Sequence, residues 1–459
     1  DSANDAPVLL TSGTSVLNGS GNIFTNKTNF STISEDNTNN TGKRVSTFLN
    51  QDSVSDEENY LADGVRGVAV TSVDNANGAW QYSINNRSTW VAFGSVSASS
   101  VRLLDGSNSQ HHIRFIPTAD YFGSSSLTYR AWDKTTGTAG GTADASSYGG
   151  TTAFSQGEVT RSITITSKND EPTASFQTPP AVNEDAGAQT ITNFATPANG
   201  ATQLEGSQTF SYTVSRASGD STSLFSVQPA ISSNGTLTYT PKANANGAVT
   251  FNVTVIDNGG TSNSGDDRRT YTNAFTLTVN SINDAPVLTD QTPDLRLNED
   301  PGGSDTGMTI SSLLVSGSVT EASDNVSPGT SSDNTAYEAI AITSTSVSVG
   351  TLQYSTNGGS SFTNVGSVSG NSALLLNPSD RLRLVSPTDF NGSAGSFTFR
   401  AWDQTTTASG SSGSKVDTST NGGTSEFSSF AETATITVNA VNDEPTASFQ
   451  TPPAVNEDA

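Results

Sequence analysis

The feature that most constrains this chain is an exact internal repeat. Eighteen residues, NDEPTASFQTPPAVNEDA, occupy positions 169–186 and recur unchanged at 442–459, 273 residues later. A second string, NDAPVL, begins at Asn4 and again at Asn283, 279 residues later. Identity over this length at a fixed spacing is the signature of a tandem array. We therefore read the chain as alternating units, A–B–A–B, that stop just inside the second B, and we expect the native protein to continue on both sides.

The boundaries between units follow from short linkers of the form ND-x-P. These linkers lie near Asn169–Pro172, Asn283–Pro286 and Asn442–Pro445. They predict a type A unit with insertions at 1–169, a type B unit at 170–282, a second type A unit at 283–441 and the truncated start of a further type B unit at 442–459. Because each linker is short and its proline fixes φ, we expect neighbouring units to sit end to end.

Both unit types share a C-terminal pattern of a glycine turn, an alternating strand that ends in Asp, and a final alternating strand. The turns are Asp120–Gly123, Asn244–Gly247 and Asp389–Gly392, and the strands that follow end at Asp133, Asp257 and Asp403. The final strands are expected at Ser162–Thr166, Phe275–Val279 and Ala434–Val438. Period-two alternation of apolar residues indicates half-buried strands, and no segment has a helical period, so the chain is predicted to be all-β.

Type A differs from type B by two insertions. The first contains a predicted hairpin, at Tyr82–Trp90 in the first type A unit and at Tyr354–Phe362 in the second. The second is a long loop that follows the sequence RAWD, from about residue 134 to 157 and from 404 to 426. The short turn sequences between aromatic-flanked runs are typical of β-hairpins.

Composition excludes several function classes. Hydrophobic residues make up 32% of the chain, which suits small β-sandwiches because only alternate strand residues face a core. The net charge of −24 argues against nucleic acid and anionic membranes as partners, and it is compatible with hard cations. There is no cysteine, as expected of an exported bacterial protein that metal rather than disulfides stabilises. No apolar run approaches the ~18 residues that a membrane span needs.

The linkers, the N-E-D-x-G sequences near the unit starts and the D-x-x-G turns resemble those of bacterial cadherin-like repeats over essentially the whole chain. Such repeats occur in very large adhesins and other surface proteins. The resemblance implies Ig/cadherin-like Greek-key β-sandwiches arranged end to end, with Ca²⁺ held between neighbours. It implies as metal ligands the first-strand acids Glu35, Asp36, Glu184, Asp185, Glu299 and Asp300, the linker residues Asn169, Asp170, Asn283, Asp284, Asn442 and Asp443, and the strand-end acids Asp133, Asp257 and Asp403.

The sequence departs from the cadherin pattern at two places. The eukaryotic linker has a further Asp two residues before its Asn, where this chain has Ser167, Ser281 and Ala440. Asn244 stands in type B where type A has a turn Asp, so the turn acids are left out of the predicted ligand set. The chemistry of the remaining set is independent of the resemblance, because Ca²⁺ takes 6–8 oxygen ligands and close carboxylates repel unless a cation lies among them. The alternative is that each Asn-Asp pair only caps a turn.

Catalysis is not expected. The only histidines, His111 and His112, lie in the first type A unit, and the second has Asp380 and Arg381 there, so we expect the pair on the surface rather than in an active site. Without cysteine or a second histidine cluster, zinc and thiol chemistry have no ligands. The expected function is a non-enzymatic extender rod of a bacterial surface or secreted adhesin, rigidified by Ca²⁺, whose partners are the neighbouring domains of the same chain. The alternatives are a self-assembling surface layer, sheath or filament that binds its own copies, and a carbohydrate-binding module that binds glycans through Trp132 and Trp402.

Overall fold

The fold is taken from a computed structural model of the chain. It describes residues 4–9, 16–17, 23–24, 29–47, 49, 54–55, 66–198, 207–300, 305–320, 339–405, 411–455 and 457. The described residues form strands joined by turns, together with two four-residue helices, α1 (Ser221–Leu224) and α2 (Ile310–Leu313). Single turns of 3₁₀ helix lie at Val45–Thr47 and Ser262–Ser264. The prediction of an all-β chain is confirmed.

Within its described residues, the first type A unit contributes fourteen strands. They are β1 (Val8–Leu9), β2 (Val16–Leu17), β3 (Ile23–Phe24), β4 (Ile33–Ser34), β5 (Lys43–Arg44), β6 (Val54–Ser55), β7 (Gly67–Val73), β8 (Gly78–Ser83), β9 (Val91–Ala92), β10 (Val101–Asp105), β11 (His112–Pro117), β12 (Gly123–Trp132), β13 (Thr142–Ala143) and β14 (Val159–Thr166). One sheet has the order β13-β10-β7-β12-β14-β4 and the other β5-β11-β8-β9, with the small pairs β1-β6 and β2-β3 beside them.

The type B unit is smaller, and its described residues form nine strands. They are β15 (Thr173–Phe176), β16 (Val182–Asn183), β17 (Gln189–Ile191), β18 (Ala195–Ala198), β19 (Phe210–Ser218), β20 (Phe225–Ile231), β21 (Leu237–Pro241), β22 (Gly247–Asp257) and β23 (Arg268–Asn280). The two sheets have the orders β16-β23-β22-β19 and β17-β21-β20, and β15 pairs with β18.

The second type A unit repeats the plan of the first. Its strands are β24 (Val287–Leu288), β25 (Asp294–Asn298), β26 (Met308–Thr309), β27 (Val319–Thr320), β28 (Ala339–Val347), β29 (Thr351–Ser355), β30 (Thr363–Asn364), β31 (Ala373–Leu376), β32 (Arg381–Val385), β33 (Gly392–Trp402), β34 (Lys415–Val416) and β35 (Glu432–Asn439). Its sheets have the orders β25-β35-β33-β28-β31-β34 and β26-β32-β29-β30, and β24 pairs with β27.

Each unit encloses its own apolar core between its two sheets. In β14, Val159, Ile163 and Ile165 are buried, whereas the threonines between them face outward. The inward residues of the facing sheet, such as Trp80 and Phe115, complete the same core. Burial of alternate residues from both sheets is what makes these units sandwiches, because each sheet covers the apolar face of the other.

The type A insertions add strands and a second core. The predicted hairpins are present, since Tyr82 pairs with Val91 and Tyr354 pairs with Thr363. The strands β10 and β13 extend the larger sheet beyond the position where the type B sheet ends at β19, and β31 and β34 do the same in the second type A unit. The loop after RAWD packs on the outer face of this extension and buries Trp132.

The histidine pair is not on the surface, so that expectation was wrong. His111 and His112 are 4% and 2% exposed. The Nδ1 atom of His111 accepts a hydrogen bond from the backbone N–H of Asp105 at 3.0 Å. The extension strand β10, which exists only because of the type A insertion, covers this position. Alternation along β11 alone does not indicate that cover, since it comes from the neighbouring strand β10 and, at His112, from pairing with β5 and β8.

Candidate metal centre at the unit junctions

The strand pairing brings acidic residues from separate segments to the same end of each unit. The first strand of each larger sheet pairs in parallel with the last, β4 with β14, β16 with β23, and β25 with β35. Parallel strands end at the same edge, so the acids that follow the first strand lie beside the linker that follows the last. The D-x-x-G turn precedes a strand antiparallel to the last one, and it therefore lies at this edge too.

A buried glutamate ties each first strand to the linker. Glu35, Glu184 and Glu299 are 4%, 2% and 3% exposed. The Oε1 atom of Glu35 accepts a hydrogen bond from the backbone N–H of Lys168 at 2.5 Å. The same contact is made between Glu184 and Ile282 at 2.9 Å, and between Glu299 and Val441 at 2.8 Å. The three glutamates are therefore part of the junction in every unit.

Three carboxylates converge at the junction that follows the first type A unit. Asp36 follows the first strand, Asp120 lies in the D-x-x-G turn and Asp170 lies in the linker. One oxygen from each lies within 4.8 Å of the others. The backbone N–H of Asp120 also donates to Oδ1 of Asp36 at 3.1 Å, which fixes the turn against the first strand.

The junction that follows the second type A unit has the same arrangement. Asp300, Asp389 and Asp443 each offer an oxygen within 4.8 Å of the others. The side-chain amide of Asn391 donates to Oε2 of Glu299 at 3.0 Å, which holds the buried glutamate beside the cluster. Recurrence of the three-carboxylate arrangement after both type A units shows that it belongs to the repeat.

Burial, hydrogen bonding between carboxyl groups and neighbouring acidic charge raise the pKa of one carboxyl group at each cluster. Burial is the main cause that raises the pKa of Glu35, and the charges of Asp170, Asp36 and Asp120 raise it further. The pKa of Asp389 is raised first by the hydrogen bond that it shares with Asp300, and then by partial desolvation and the surrounding acidic charges. A cation among these oxygens would remove the repulsion.

At the junction that follows type B, Asn244 replaces the turn aspartate. The backbone is nevertheless the same, because Asn244 has a φ of 56°, against 59° at Asp120 and 58° at Asp389. The glycine that ends the turn, Gly247, pairs with the last strand as its counterparts in type A do. Asp185 and Asp284 complete this junction, which has one carboxylate fewer than the junctions after type A.

The strand-end aspartates lie at the opposite end of each unit, against the preceding linker. The linker Asn283 donates its side-chain N–H to Oδ2 of Asp403 at 2.9 Å, and Asn169 donates to Oδ1 of Asp257 at 2.9 Å. The predicted acids of this class are nearly fully buried, at 0% for Asp133, 6% for Asp257 and 2% for Asp403. They position the linker asparagines rather than join the three-carboxylate clusters.

The donor set fits a hard divalent cation. All candidate ligands are oxygens, and two oxygens on opposite sides of a Ca²⁺ ion lie about 4.6–5.2 Å apart, twice the usual Ca–O distance. In each cluster one oxygen from every carboxylate lies within 4.8 Å of the others, close enough for a single ion to contact all three. Outside the two clusters, the described residues include two buried junction oxygens that accept no hydrogen bond, Oδ2 of Asp257 beside the linker after the first type A unit and Oδ1 of Asn283 in the linker after type B. Buried oxygens without a donor are costly, and a cation bound at these linkers would satisfy them.

Sequence reasoning missed two residues of the clusters, Asp120 and Asp389. Their signal was the repeated D-x-x-G turn, which was discounted because type B has Asn244 instead. The predicted linker residue Asn442 is exposed and donates to the backbone oxygen of its neighbour Asp443 at 3.2 Å.

The tryptophans of the RAWD sequences do not form an exposed platform for a sugar. Trp132 and Trp402 are 2% and 3% exposed and lie in the second cores. The indole N–H of Trp132 donates to the backbone oxygen of Thr136 at 2.7 Å. Sugar binding through these two side chains is therefore excluded, because neither ring face is available.

Comparison with known proteins gives a structural likeness only. No protein-family model matches the sequence, and no curated protein matches it either. Solved structures that it resembles include domains EC22–24 of mouse cadherin-23, at 14% identity over 81% of this chain and 90% of that chain, with a TM-score of 0.35. Others are cadherin domains 3–6 of protocadherin gamma B2, at 12% identity over 84% and 67% with a TM-score of 0.38, and domains EC1–3 of mouse protocadherin-24, at 11% identity over 81% and 93% with a TM-score of 0.36.

These values of identity and TM-score carry no inference about function. The fold class rests on the sheets and cores described above, which make the chain a tandem array of all-β sandwiches. In the part of the chain that the structure describes, no helix has the length and apolar character that a membrane crossing requires.

Proposed function

We propose that this chain is part of the extender rod of a large bacterial extracellular adhesin, in which Ca²⁺ at the unit junctions makes the rod stiff. Its direct partners are the neighbouring units of the same chain, and its role is mechanical rather than catalytic. The observation that carries the proposal is the convergence of three carboxylates from three separate segments at the linker after each type A unit.

The physical argument concerns the linker. Without a cation, the carboxylates of the first strand, the turn and the linker repel one another, so the linker aspartate is pushed away from the unit that precedes it. A bound Ca²⁺ would be coordinated by all three and would fix the linker against that unit. The bending freedom of the junction would then be lost, and successive units would hold one direction.

The first test compares the full chain in saturating Ca²⁺ with the same chain in EDTA. Calorimetry should give a lower thermal midpoint in EDTA, because a ligand that binds only the folded state stabilises it. Small-angle scattering should give a smaller maximum dimension in EDTA, because bent junctions shorten the particle. Unchanged melting and unchanged shape in EDTA would overturn the proposal.

A matched pair of variants links the effect to the junction. The change Asp36→Asn should weaken the response to Ca²⁺ by removing one charged ligand from the first cluster. The change Asp290→Asn, at an exposed position outside the clusters, should leave the response as it is in the unchanged chain. Equal responses of the two variants would show that the measured calcium binds elsewhere.

A further inference from the structure

The two kinds of junction present the same backbone but different charge. Four carboxylates surround the junction after the first type A unit, Glu35, Asp36, Asp120 and Asp170, and their counterparts after the second are Glu299, Asp300, Asp389 and Asp443. After type B there are three, Glu184, Asp185 and Asp284, with Asn244 at the fourth position. Within this set of carboxylates, the two kinds of junction differ by one negative charge, at the turn position.

The register of the sheets shows that the position is equivalent in all units. In the first unit, Gly123 pairs with Ile165, which pairs with Ile33 on the first strand. In type B, Gly247 pairs with Val279, and Val279 pairs in turn with the first strand. In both units the buried glutamate lies two residues after the first-strand residue of this pairing, Glu35 after Ile33 and Glu184 after Val182. Asn244 thus stands at the cluster edge as Asp120 does.

The linkers differ in charge in the same direction as the turns, since the linker after type B is the less acidic one. The linker after type A continues with an acidic residue, Glu171 or Glu444, whereas the linker after type B has Ala285 at that place. The backbone N–H of Ala285 instead donates to the oxygen of Gly423, in the insertion loop of the following type A unit. The junction after type B is therefore less acidic in its linker as well as in its turn.

We propose that the junctions alternate in calcium affinity, with those after type A binding Ca²⁺ about tenfold or more tightly than the junction after type B, an inference that rests on the function proposed above. Asn can still coordinate through its amide oxygen, but it adds no charge, and the affinity of oxygen sites for Ca²⁺ depends on the number of charged ligands. At calcium concentrations between the two affinities, the rod would consist of stiff A–B pairs joined by movable junctions.

The test measures each junction separately in the full chain. Because the chain has no cysteine, two pairs of spin labels can be attached at exposed sites. The changes Ser124→Cys and Thr261→Cys flank the junction after the first type A unit, and Ala248→Cys and Ser419→Cys flank the junction after type B. Pulsed dipolar distance distributions are then recorded through a Ca²⁺ titration. We expect the distance distribution of the first label pair to narrow at one calcium concentration, and that of the second pair to narrow only at a concentration about tenfold or more higher.

Reciprocal variants assign the difference to the turn residue. The change Asn244→Asp should lower the calcium concentration at the titration midpoint of the second label pair, toward that of the first. The change Asp120→Asn should raise the midpoint concentration of the first label pair, toward that of the second. Neither change strains the turn, because both residue types occur there with φ near 60°. Coincident midpoints in the unchanged chain, or no shift in the Asn244→Asp variant, would overturn the inference. Failure of either pair to respond at saturating Ca²⁺ would overturn the proposed function instead.

Discussion

At the scale of single residues, the two type A units differ at a buried polar position. His111 in the first unit lies where the second has Asp380, whose carboxylate accepts hydrogen bonds from the backbone N–H of Asn377 and the hydroxyl of Ser412. The His111 ring accepts rather than donates at Nδ1, so the folded state favours its neutral form. Each of these buried side chains therefore has hydrogen-bond partners within its own unit, but only the first unit has a histidine at this position.

The histidine pair predicts an acid sensitivity confined to the first type A unit. Burial is the main cause that lowers the pKa of His111 and of His112. Asp105 opposes the shift at His111, Lys134 adds to it, and the arginines near His112 act in the same direction as its burial. The unfolded chain therefore binds protons that the folded unit does not. Stability should fall as pH drops below about 6.5, by at most about 1.4 kcal/mol per pH unit for each histidine.

Urea unfolding at several pH values checks this prediction. Tryptophan emission reports mainly the first type A unit, which contains three of the four tryptophans. The double change of His111→Gln and His112→Gln should flatten the pH dependence between about pH 6.5 and 5. A pH dependence in that range that survives both changes would contradict the role given to the pair.

At the scale of elements, the long strand that carries RAWD in each type A unit, β12 or β33, is buried on both faces at its end. Tyr129 and Ala131 face the main core, whereas Trp132 faces the second core made by the insertion loop. Arg130 anchors that loop, because it donates to the backbone oxygens of Ser155 at 3.0 Å and Gln156 at 2.5 Å.

The equivalent residue in the second type A unit makes the same kind of contact. Arg400 donates to Ser428 at 2.8 Å and to Ser429 at 2.7 Å. The RAWD sequence is thus an internal clamp for the insertion, and its repetition follows from the repeated loop rather than from a ligand.

We expect the change Arg130→Met to release the insertion loop without unfolding the sandwich. Hydrogen bonds to a charged donor contribute roughly 1.5–3 kcal/mol, and the stem of Met keeps most of the apolar packing. The exposed Tyr148, which the guanidinium covers at 3.8 Å from the ring centroid, should become a faster site for chymotrypsin. Limited proteolysis with mass spectrometry measures this, with Arg268→Met, an exposed arginine of type B, as the control. Equal cleavage rates in the two variants would contradict the clamp.

At the scale of the whole molecule, repulsion between acidic groups is an unfavourable contribution that salt can reduce. The net charge is −24, and the junction clusters concentrate part of it where units meet. Salt screens such repulsion, with a Debye length of about 10 Å at 0.1 M. In EDTA, raising NaCl from about 0.02 to 0.5 M should therefore raise the thermal midpoint. In saturating Ca²⁺ the same change of salt should raise the thermal midpoint less. Calorimetry across this salt range would measure both midpoints, and equal salt effects with and without Ca²⁺ would refute the account.

The sequence by itself determined the repetitive character of the chain and its all-β class. Recurrence of the same strings at a fixed spacing marks a tandem array, and alternation of apolar residues indicates which face of a strand is buried. The acids of the first strand and the linker, such as Asp36 and Asp170, could also be predicted, because they recur at each boundary. These are properties of local periodicity, which a single sequence displays directly.

Only the tertiary structure decided which of these acids meet. Parallel pairing of β4 with β14, together with antiparallel pairing of β12 with β14, places Asp120 beside Asp36 and Asp170, although 84 and 50 residues separate it from them along the chain. Long-range packing likewise places His112 between β5 and β8 and buries Trp132 in the second core. The pairing register of the strands and the burial of side chains by other strands depend on contacts between segments far apart in the sequence. No local sequence pattern encodes these contacts.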